Sequence, residues 1–342
     1  MKLLVTAQTL DESDPVLGFF VAWVKELAQH HESIEVVCLF EGTHTLPRNV
    51  QVHSLGKEKK RQSQFVYAYR YLRLVWVLRK RYEAVFVHMN QEYILVAGWY
   101  WKLAKKNIYL WRNHYAGSIL TDVAVKFCKN VFYTSKHSFT AKYPNAKKMP
   151  VGVNLVHYIS KGIEERVPRS ILFLARMAPS KRPDILLEAL ALLKKEQIPF
   201  TATLAGSPLS EDARFYSRVQ ARSSSLGLDD IVTFIPGPPP ADAPPLFRRA
   251  ELFVNCSRSG MFDKTLFEAS ACGALVLAMS DDFAVLTEGA SFFDTPESLA
   301  KKIKEFLALS QEEHTKLQTL YKDIASKQSL TELAIELKQA IL

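Results

Sequence analysis

The sequence predicts an α/β protein with two Rossmann-like domains, each built on a doubly wound parallel sheet. Three observations support this fold class. Short apolar segments alternate with helical ones along the chain, as they do around parallel sheets. The alternation is interrupted at residues 156–169, where charged residues, Gly and Pro occur without clear periodicity. The length of 342 residues also exceeds what one hydrophobic core usually supports.

The first half of the chain is predicted to hold six strands. An apolar strand at residues 2–6 is followed by the polar stretch QTLDESDPVLG, which leads into a helix. The helices are expected at residues 19–31, 63–82, 92–105 and 120–129. The other strands are expected at residues 34–40, 51–55, 84–88, 107–111 and 130–134.

The second half repeats the pattern. It begins with a buried strand at residues 170–175, and further strands lie in FTATLAG, in IVTFIPG and at residues 252–255, 275–278 and 290–294. The tail contains two helices that open with capping boxes, Ser310 with Glu313 and Ser329 with Glu332. We therefore predict a first domain at residues 1–158, a linker at 159–169, a second domain at 170–325 and a last helix at 326–342.

Positive charge is concentrated in the first half. Residues 1–160 carry 22 Lys and Arg against 11 Asp and Glu, although the whole chain has a net charge of only +9. Residues 57–82 hold nine of these cations and one Glu. Such a segment attracts anionic lipid headgroups, phosphates or nucleic acid.

Several classes of protein are disfavoured. No GxGxxG follows the first strand and no GxxxxGK[ST] occurs, which argues against a dinucleotide dehydrogenase and a P-loop enzyme. Asp-x-Asp is absent, so a metal on paired carboxylates is not required, and we expect neither a metal nor a cofactor. The four scattered cysteines, at 38, 128, 256 and 272, are expected to be reduced core residues.

The most informative stretch is FVNCSRSGMFDKTLFEASACGALVLA, residues 253–278. It predicts a strand, a loop of small and polar residues, a helix that Asp263 or Thr265 caps, and a second strand. In an open parallel sheet, ligands bind at the carboxyl ends of the strands, and a helix N-terminus there attracts an anion. The Glu268 side chain is expected to face this same edge of the sheet. The alternative interpretation is an ordinary strand–helix–strand packing unit.

A second candidate anion site follows the strand at residues 170–175. Arg176 leaves the carboxyl end of that strand, and Lys181 comes five residues later, just before a helix with Pro183 in its first turn. Two cations beside a helix N-terminus suit a pyrophosphate. The alternative interpretation is that Arg176 and Lys181 form only a solvated face near the helix start.

The 253–278 stretch resembles the signature of retaining glycosyltransferases of family 4, which have the GT-B fold: two such domains that face a central cleft. In that family a Glu, a GFG-like loop and a second Glu eight positions later precede a small-residue run. Here Glu268 matches the second Glu and Phe262 the loop aromatic, whereas Gly260 replaces the first Glu, and Asp263 and Lys264 replace a glycine and a leucine. The resemblance implies that Glu268 binds the donor ribose and that Arg176 and Lys181 hold the donor diphosphate.

The resemblance extends to further positions. It implies a donor-binding surface that also includes Gly18, Gly260, Met261, Phe262, Lys264 and Thr265. Gly18 follows the first strand, where a glycine lets the backbone approach the donor phosphate, although it is equally consistent with an ordinary helix start. His114, at a strand end, and Asp263 are the candidates for orienting sugar or acceptor in catalysis. The first domain would then bind the acceptor and the second the nucleotide sugar, with the last helix returning to the first domain.

The predicted function is therefore a retaining, metal-independent hexosyltransferase that uses a nucleotide-diphosphate sugar as co-substrate. Gly260 in place of the first Glu keeps open a non-catalytic GT-B homologue that serves as a scaffold or partner subunit. A sugar-nucleotide epimerase on the same fold is the third alternative. The sequence does not identify the nucleobase, the sugar, the acceptor or the oligomeric state.

The basic segment at residues 57–82 also contains Phe65, Tyr67, Tyr69, Tyr71 and Trp76, and Trp99, Tyr100, Trp101 and Lys102 repeat the combination on the next helix. Cations mixed with aromatic residues are typical of membrane surfaces. We expect an anionic membrane surface and a lipid-linked or surface glycan as acceptor, and no nucleic acid, because no recognition motif for it occurs. With no apolar stretch long enough for a membrane span or a signal peptide, the expected location is the cytoplasm, on the cytoplasmic face of the membrane.

Overall fold

The structure is a computed structural model that describes residues 1–14, 16–159, 165–239, 242–260 and 262–341. It divides into two compact units. The first unit comprises Met1–Asn154 and Leu330–Leu342, and the second comprises Leu155–Ser329. The first stretch of unit one thus ends four residues before the end predicted for the first domain, and the last helix belongs to that unit.

Within the described ranges, twelve strands form two parallel sheets. In the first unit they are β1 (Lys2–Leu10), β2 (Ser33–Glu41), β3 (Val50–Ser54), β4 (Ala84–His88), β5 (Asn107–Trp111), β6 (Asn130–Tyr133) and β7 (Ala146–Lys148). In the second unit they are β8 (Val167–Leu174), β9 (Thr201–Ala205), β10 (Val232–Ile235), β11 (Ala250–Asn255) and β12 (Leu275–Ala278). The strand orders are β3-β2-β1-β4-β5-β6-β7 and β10-β9-β8-β11-β12. These two doubly wound sheets confirm the predicted fold class.

Helices connect the strands and follow them. They are α1 (Phe19–Ala28), α2 (Gln64–Val77), α3 (Glu92–Leu103), α4 (Ile119–Val125), α5 (Val156–Ile159), α6 (Pro183–Lys195), α7 (Ala213–Ser225), α8 (Pro244–Arg249), α9 (Lys264–Ala271), α10 (Asp281–Leu286), α11 (Pro296–Leu307), α12 (Gln311–Ser326) and α13 (Leu330–Ile341). Short 3₁₀ segments lie at Phe139–Lys142, Pro179–Lys181 and Ser210–Asp212. Among these described residues no helix is both long and apolar enough to cross a bilayer.

In the first unit, the two faces of the sheet are covered by different helices. Successive residues of β1 point to opposite faces, so Leu3 and Val5 pack with α1 and α13, whereas Leu4 packs with α2 and α3. The Trp23 indole of α1 donates a hydrogen bond of 2.9 Å to the carbonyl of Gly152. A Cβ at Gly152 would lie 2.3 Å from Leu333 of α13, so this backbone position needs a glycine.

In the second unit, β8 and β11 lie side by side at the centre of the sheet. The chain moves outward from β8 through α6 to β9, and in the opposite direction from β11 through α9 to β12. Right-handed crossovers in opposite directions place α6 and α9 on opposite faces of the sheet. The carboxyl ends of β8 and β11 therefore form the topological switch point, where open α/β sheets bind ligands.

Some elements differ from the predictions. β7 and α10 were not predicted. The strand expected at residues 290–294 is wrong, because Phe292 makes only an isolated bridge to Ala278. The capping box of Ser310 with Glu313 is confirmed at the start of α12. β8 starts at Val167, inside the segment predicted as the linker.

The packing of α13 generates a stability prediction. Leu333 is fully buried against the first unit, whereas Ile335 on the same helix is 38% exposed. Leu333→Ala should lower the free energy of unfolding by about 2–5 kcal/mol, because it leaves a cavity in the core. The matched control Ile335→Ala should cost less than about 1 kcal/mol. Urea unfolding followed by circular dichroism measures both, and equal losses would contradict this packing.

Candidate functional site

The candidate site of the second unit is built from two loops at the switch point. One loop follows β8 and carries Arg176 and Lys181. The other, residues 255–263, follows β11 and is here called the signature loop; it leads into α9. Because β8 and β11 are adjacent and parallel, their carboxyl ends bring the two loops together.

Lys181 and Asp263 join these loops through an ion pair. The Lys181 ammonium lies 2.7 Å from Oδ1 and 2.8 Å from Oδ2 of Asp263, and it also donates to the Ser257 hydroxyl at 3.3 Å. The Asn255 amide donates to Oδ2 of Asp263 at 3.0 Å. The side chains of the ionic partners are only 17% and 16% exposed. Lys181, Asp263, Asn255 and Ser257 are here called the Lys181 cluster.

The cluster keeps Asp263 ionised. Burial alone would raise the pKa of this carboxyl, but the Lys181 charge and the hydrogen bonds from Lys181, Ser257 and Asn255 hold the pKa below its usual range. Asp263 occupies the N-cap position of α9, as predicted, but its side chain caps no helical N–H group. The expected capping role is therefore wrong, because the carboxylate is turned toward Lys181. The N-cap residue of α9 therefore makes no side-chain hydrogen bond to the first turn of its own helix.

Lys264 begins α9, Glu268 lies one turn further on, and the opposite charges of the two side chains attract each other. Burial raises the pKa of Glu268 to about 7, although the Lys264 charge and a hydrogen bond from Tyr158 both favour the ionised carboxylate. Burial likewise lowers the pKa of Lys264 to about 7 against the attraction of Glu268. Burial, together with the same carboxylate, raises the pKa of the Tyr158 phenol. Burial thus disfavours the charged form of Glu268, whereas Lys264 and Tyr158 favour it.

The signature loop turns at Gly260, which has a φ of 108°. Glycine adopts this backbone conformation without strain, whereas residues with a side chain rarely do. Earlier in the loop, the Asn255 side chain accepts from the Ser257 N–H at 2.9 Å. The Ser259 hydroxyl accepts from the Asp281 N–H at 2.7 Å and donates to its carboxylate at 3.0 Å, which attaches the loop to α10. Met261 lies outside the described residues.

The other predicted donor residues of this unit have different surroundings. Phe262 is buried, with its ring 5.1 Å from that of Phe267, so the phenyl group belongs to the core. The Thr265 hydroxyl lies 3.4 Å from the Asn255 amide, next to the Lys181 cluster. Arg176 follows β8 with an exposed side chain. The structure therefore brings Lys181, Asp263 and Thr265 together and leaves Arg176 facing solvent.

Gly18 and His114 belong to the first unit. Gly18 begins α1 with an ordinary φ of −55°, and a Cβ there would lie 2.6 Å from the Asp14 carbonyl oxygen. A glycine is thus needed at this helix start for local packing. His114 follows β5, and its Nδ1 accepts from the Ala116 N–H at 2.9 Å. The roles predicted for both residues remain predictions.

His88 lies at the end of β4, at the carboxyl edge of the first sheet. It is 3% exposed and stacks on Phe20 with ring centroids 4.0 Å apart. Its surroundings are those of a packed core residue. Within the described ranges, no group of three or more His, Cys, Asp or Glu side chains is arranged to hold a metal ion.

A basic and aromatic surface lies on α2 and α3 of the first unit. Phe65, Tyr69 and Trp76 are 87%, 69% and 56% exposed, and they recur at helical spacing on the outer face of α2. The rings of Trp76, Tyr100 and Trp99 form a chain with centroids 5.7 and 6.1 Å apart, and the Arg79 guanidinium stacks on Trp76. Tyr71 and Trp101, expected on this surface, are instead buried in the core.

Charge on this surface is almost entirely positive. Lys57, Lys59, Lys60 and Arg61 precede α2, and Arg73, Lys80 and Lys102 are exposed on or after the helices. The acidic residue of residues 57–82, Glu58, is turned inward, where the Ser54 hydroxyl donates to its two oxygens at 2.9 and 2.8 Å. The Glu58 carboxylate therefore does little to neutralise the exposed cations of this surface.

Sequence reasoning missed three residues of the site. Asn255 and Ser257 support Asp263, and Tyr158 supports Glu268. A polar residue at the end of a buried strand was the available signal for Asn255. Tyr158 had no local signal, because it lies in the stretch 156–169 that lacks clear periodicity and meets Glu268 only in the folded unit.

Residues 160–321 match the family described as "Glycosyl transferases group 1". A D-inositol 3-phosphate glycosyltransferase from Segniliparus rotundus is 34% identical over 112 residues, which are 32% of this chain and 24% of that protein. The chain thus matches about a quarter of the length of its curated relatives. The predicted resemblance to group 1 glycosyltransferases is confirmed for these residues.

Solved structures show the fold of the whole chain. Anabaena Alr3699/HepE, in complex with UDP, superposes with a TM-score of 0.79 at 19% identity, covering 100% of this chain and 99% of that one. A glycosyltransferase from Rickettsia africae gives a TM-score of 0.76 at 16% identity, covering 99% and 98%. At these identities the likeness establishes the GT-B fold alone.

The backbone at Gly260 generates the prediction of this subsection. Gly260→Glu, which would reintroduce the family's first Glu, should lower the free energy of unfolding by about 1–3 kcal/mol, because φ is unfavourable for any side chain. Gly260→Ala should cost a similar amount. As a control, Gly227→Ala, at φ 69° with open space around the Cβ, should cost only about 1 kcal/mol. Denaturant unfolding compares the three variants. An unchanged or increased free energy of unfolding for Gly260→Glu would contradict the expected backbone strain in this variant.

Proposed function

We propose that this chain, whose residues 160–321 match the glycosyl transferases group 1 family, moves a sugar from a nucleotide-diphosphate sugar to a hydroxyl acceptor. The observation that carries the proposal is a cation, Lys181, held at the switch point beside the N-terminus of α9, where the N-cap side chain of Asp263 makes no cap hydrogen bond. Both features attract the diphosphate of such a donor. The UDP bound by the Anabaena protein supports a nucleoside diphosphate as ligand.

The proposed reaction is substitution at the anomeric carbon with retention. The bond between that carbon and the diphosphate oxygen breaks, and its electron pair goes to the diphosphate. The acceptor hydroxyl oxygen bonds to the carbon on the same face, and its proton passes to the departing diphosphate. Arg176, Lys181 and the N-terminus of α9 stabilise the charge of the leaving group. The proposal therefore assigns no role to a metal or cofactor, and it names no covalent nucleophile.

Glu268 is proposed to bind the ribose of the donor. A carboxylate accepts hydrogen bonds from both ribose hydroxyls, and its partner Tyr158 fixes its direction. Gly18 and the signature-loop backbone are proposed to approach the donor, and His114 to orient the acceptor. The loss of the family's first Glu at Gly260 supports one competing candidate, a non-catalytic homologue that binds a nucleotide sugar as a scaffold.

We further propose that the first unit rests on the anionic, cytoplasmic face of a membrane and that the acceptor is a lipid-linked or surface glycan. The basic and aromatic surface of α2 and α3 supports this. Exposed Trp and Tyr rings suit the headgroup region, and the surrounding cations suit anionic lipids.

Donor binding is tested by thermal stabilisation with UDP-, GDP-, ADP- and dTDP-sugars, because a ligand of the folded state raises its melting temperature. With the sugar nucleotide that stabilises the wild type, Arg176→Ala and Lys181→Ala should each weaken binding by about 1–3 kcal/mol. Glu268→Gln should also raise the dissociation constant. Lys194→Ala is the matched control, since its ammonium pairs with Asp230 at the other end of α6.

The outcomes separate the candidates. Stabilisation together with release of free nucleoside diphosphate supports a transferase. Stabilisation without turnover favours the scaffold, and interconversion of sugar-nucleotide epimers favours an epimerase. No stabilisation by any of the four donor classes would reject the proposal.

Membrane contact is tested by co-sedimentation with vesicles of increasing phosphatidylserine content. A variant with Lys57, Lys59, Lys60 and Arg61 changed to Ser should bind more weakly, by about 1 kcal/mol per cation at low salt and less at high salt. A variant of equal charge change in the second unit, with Lys301, Lys316, Lys322 and Lys327 changed to Ser, should bind like the wild type. If the wild type stays in the supernatant at all compositions, the acceptor is not presented at such a surface.

A further inference from the structure

The ammonium group of Lys181 is fully occupied by the protein itself. An ammonium has three N–H donors, and three acceptor atoms surround this one: the two carboxylate oxygens of Asp263 and the hydroxyl of Ser257. The oxygen atoms of Asp263 lie nearest, at 2.7 and 2.8 Å. A diphosphate can therefore gain a hydrogen bond from Lys181 only by displacing or sharing one of these partners.

Asp263 is equally constrained. Its Oδ2 accepts from Asn255 as well as from Lys181, and Asn255 is itself fixed by the Ser257 N–H. With both oxygens engaged, the carboxylate is directed at the lysine and away from the first turn of α9. It is a charged group held in one place by several independent contacts, and its one ionic partner in the described part of the chain is Lys181.

We infer that Asp263 is an internal counter-ion of Lys181, which competes with the donor diphosphate and sets how tightly the site holds a nucleoside diphosphate. This inference rests on the proposed function, because it assigns Lys181 to the diphosphate. Asp263 then acts as a positioning residue: it holds the lysine beside α9 when the site is empty. When a diphosphate binds, the same carboxylate is a like charge next to the incoming anion, and it recaptures the lysine as the product leaves.

The alternative is a purely structural ion pair that ties the loop after β8 to the signature loop. The two interpretations predict opposite effects of the same substitution. If Asp263 competes with the diphosphate, removal of its charge frees Lys181 and tightens binding. If the pair only holds the loops, the removal loosens the site and weakens binding.

The experiment is isothermal titration of UDP, GDP, ADP and dTDP into the full chain and into Asp263→Asn. With the nucleotide that the wild type binds, Asp263→Asn should bind roughly tenfold more tightly, the change expected when one charged hydrogen-bond competitor is removed. Turnover with the matching donor should fall in kcat, because the product is released more slowly, while KM falls or stays unchanged. A loss of structure alone would not produce tighter binding.

Three further variants make the result specific. Asp281→Asn removes a charge of the same sign that hydrogen-bonds to Ser259 of the same loop, and it should change the affinity less than twofold. The double variant Lys181→Ala with Asp263→Asn should lose the tighter binding, since the freed cation is absent. Asp263→Ser keeps a hydroxyl for Lys181 without the charge, and it replaces Asp263→Asn in the comparison if that variant fails to fold.

The outcomes are distinct. Tighter binding by the Asp263 variant, absent from the double variant and from Asp281→Asn, supports the inference. A wild type that binds a nucleoside diphosphate while both Asp263 variants bind it equally or more weakly overturns the inference alone. A wild type that binds none of the four nucleotides overturns the proposed function, and the inference with it.

Discussion

The geometry of the carboxyl edge of the second sheet depends on the ion pair between Lys181 and Asp263. Moving two charges out of water costs several kcal/mol per ion, and only close contact and additional hydrogen bonds offset this cost. Asn255 and Ser257 supply those hydrogen bonds. The pair joins residues 82 positions apart, so the loops after the two central strands are held as one surface.

The pairing of the Asp263 carboxylate with Lys181 also affects the N-terminus of α9. An Asp at the N-cap usually accepts from a backbone N–H of the first turn, which would satisfy a donor that an anionic ligand could otherwise use. Because Lys181 engages this carboxylate instead, the Asp263 side chain does not cap the first turn of α9. Lys264 and Glu268 then lie on the same helix with pKa values that burial moves in opposite directions. This helix thus carries two ionisable groups whose charged forms burial disfavours.

Sequence patterns predicted the bounds of secondary-structure elements correctly where burial alone determines those bounds. The bounds of β4, β5 and β12 were predicted to the residue, because these strands are continuous apolar runs buried within parallel sheets. β7 was missed because it is a three-residue edge strand, Ala-Lys-Lys, without apolar periodicity. α2 ends at Val77 rather than near residue 82, since an amphipathic pattern does not mark where the last turn ends.

The candidate site was predictable in its location but not in its pairings. Arg176, Lys181 and residues 260–268 were placed at strand ends by local pattern, which is a property of parallel sheets. Local pattern also suggested a cap for Asp263, and this was wrong because a long-range partner outcompetes the helix N-terminus. The Tyr158–Glu268 contact likewise joins distant positions. Such pairings depend on the fold of the complete unit, which no short window of sequence contains.

The charges of the site lead to a last step of argument. Lys181 is neutralised by Asp263, and Lys264 faces Glu268, so each cation of the buried part has an anion beside it. Arg176 is the exposed cation of the loop after β8, and the N-terminus of α9 adds a partial positive charge. Gly260 contributes no carboxylate. For the proposed donor this balance predicts moderate attraction of the diphosphate, which would suit the release of a nucleoside diphosphate after every turnover of the proposed reaction.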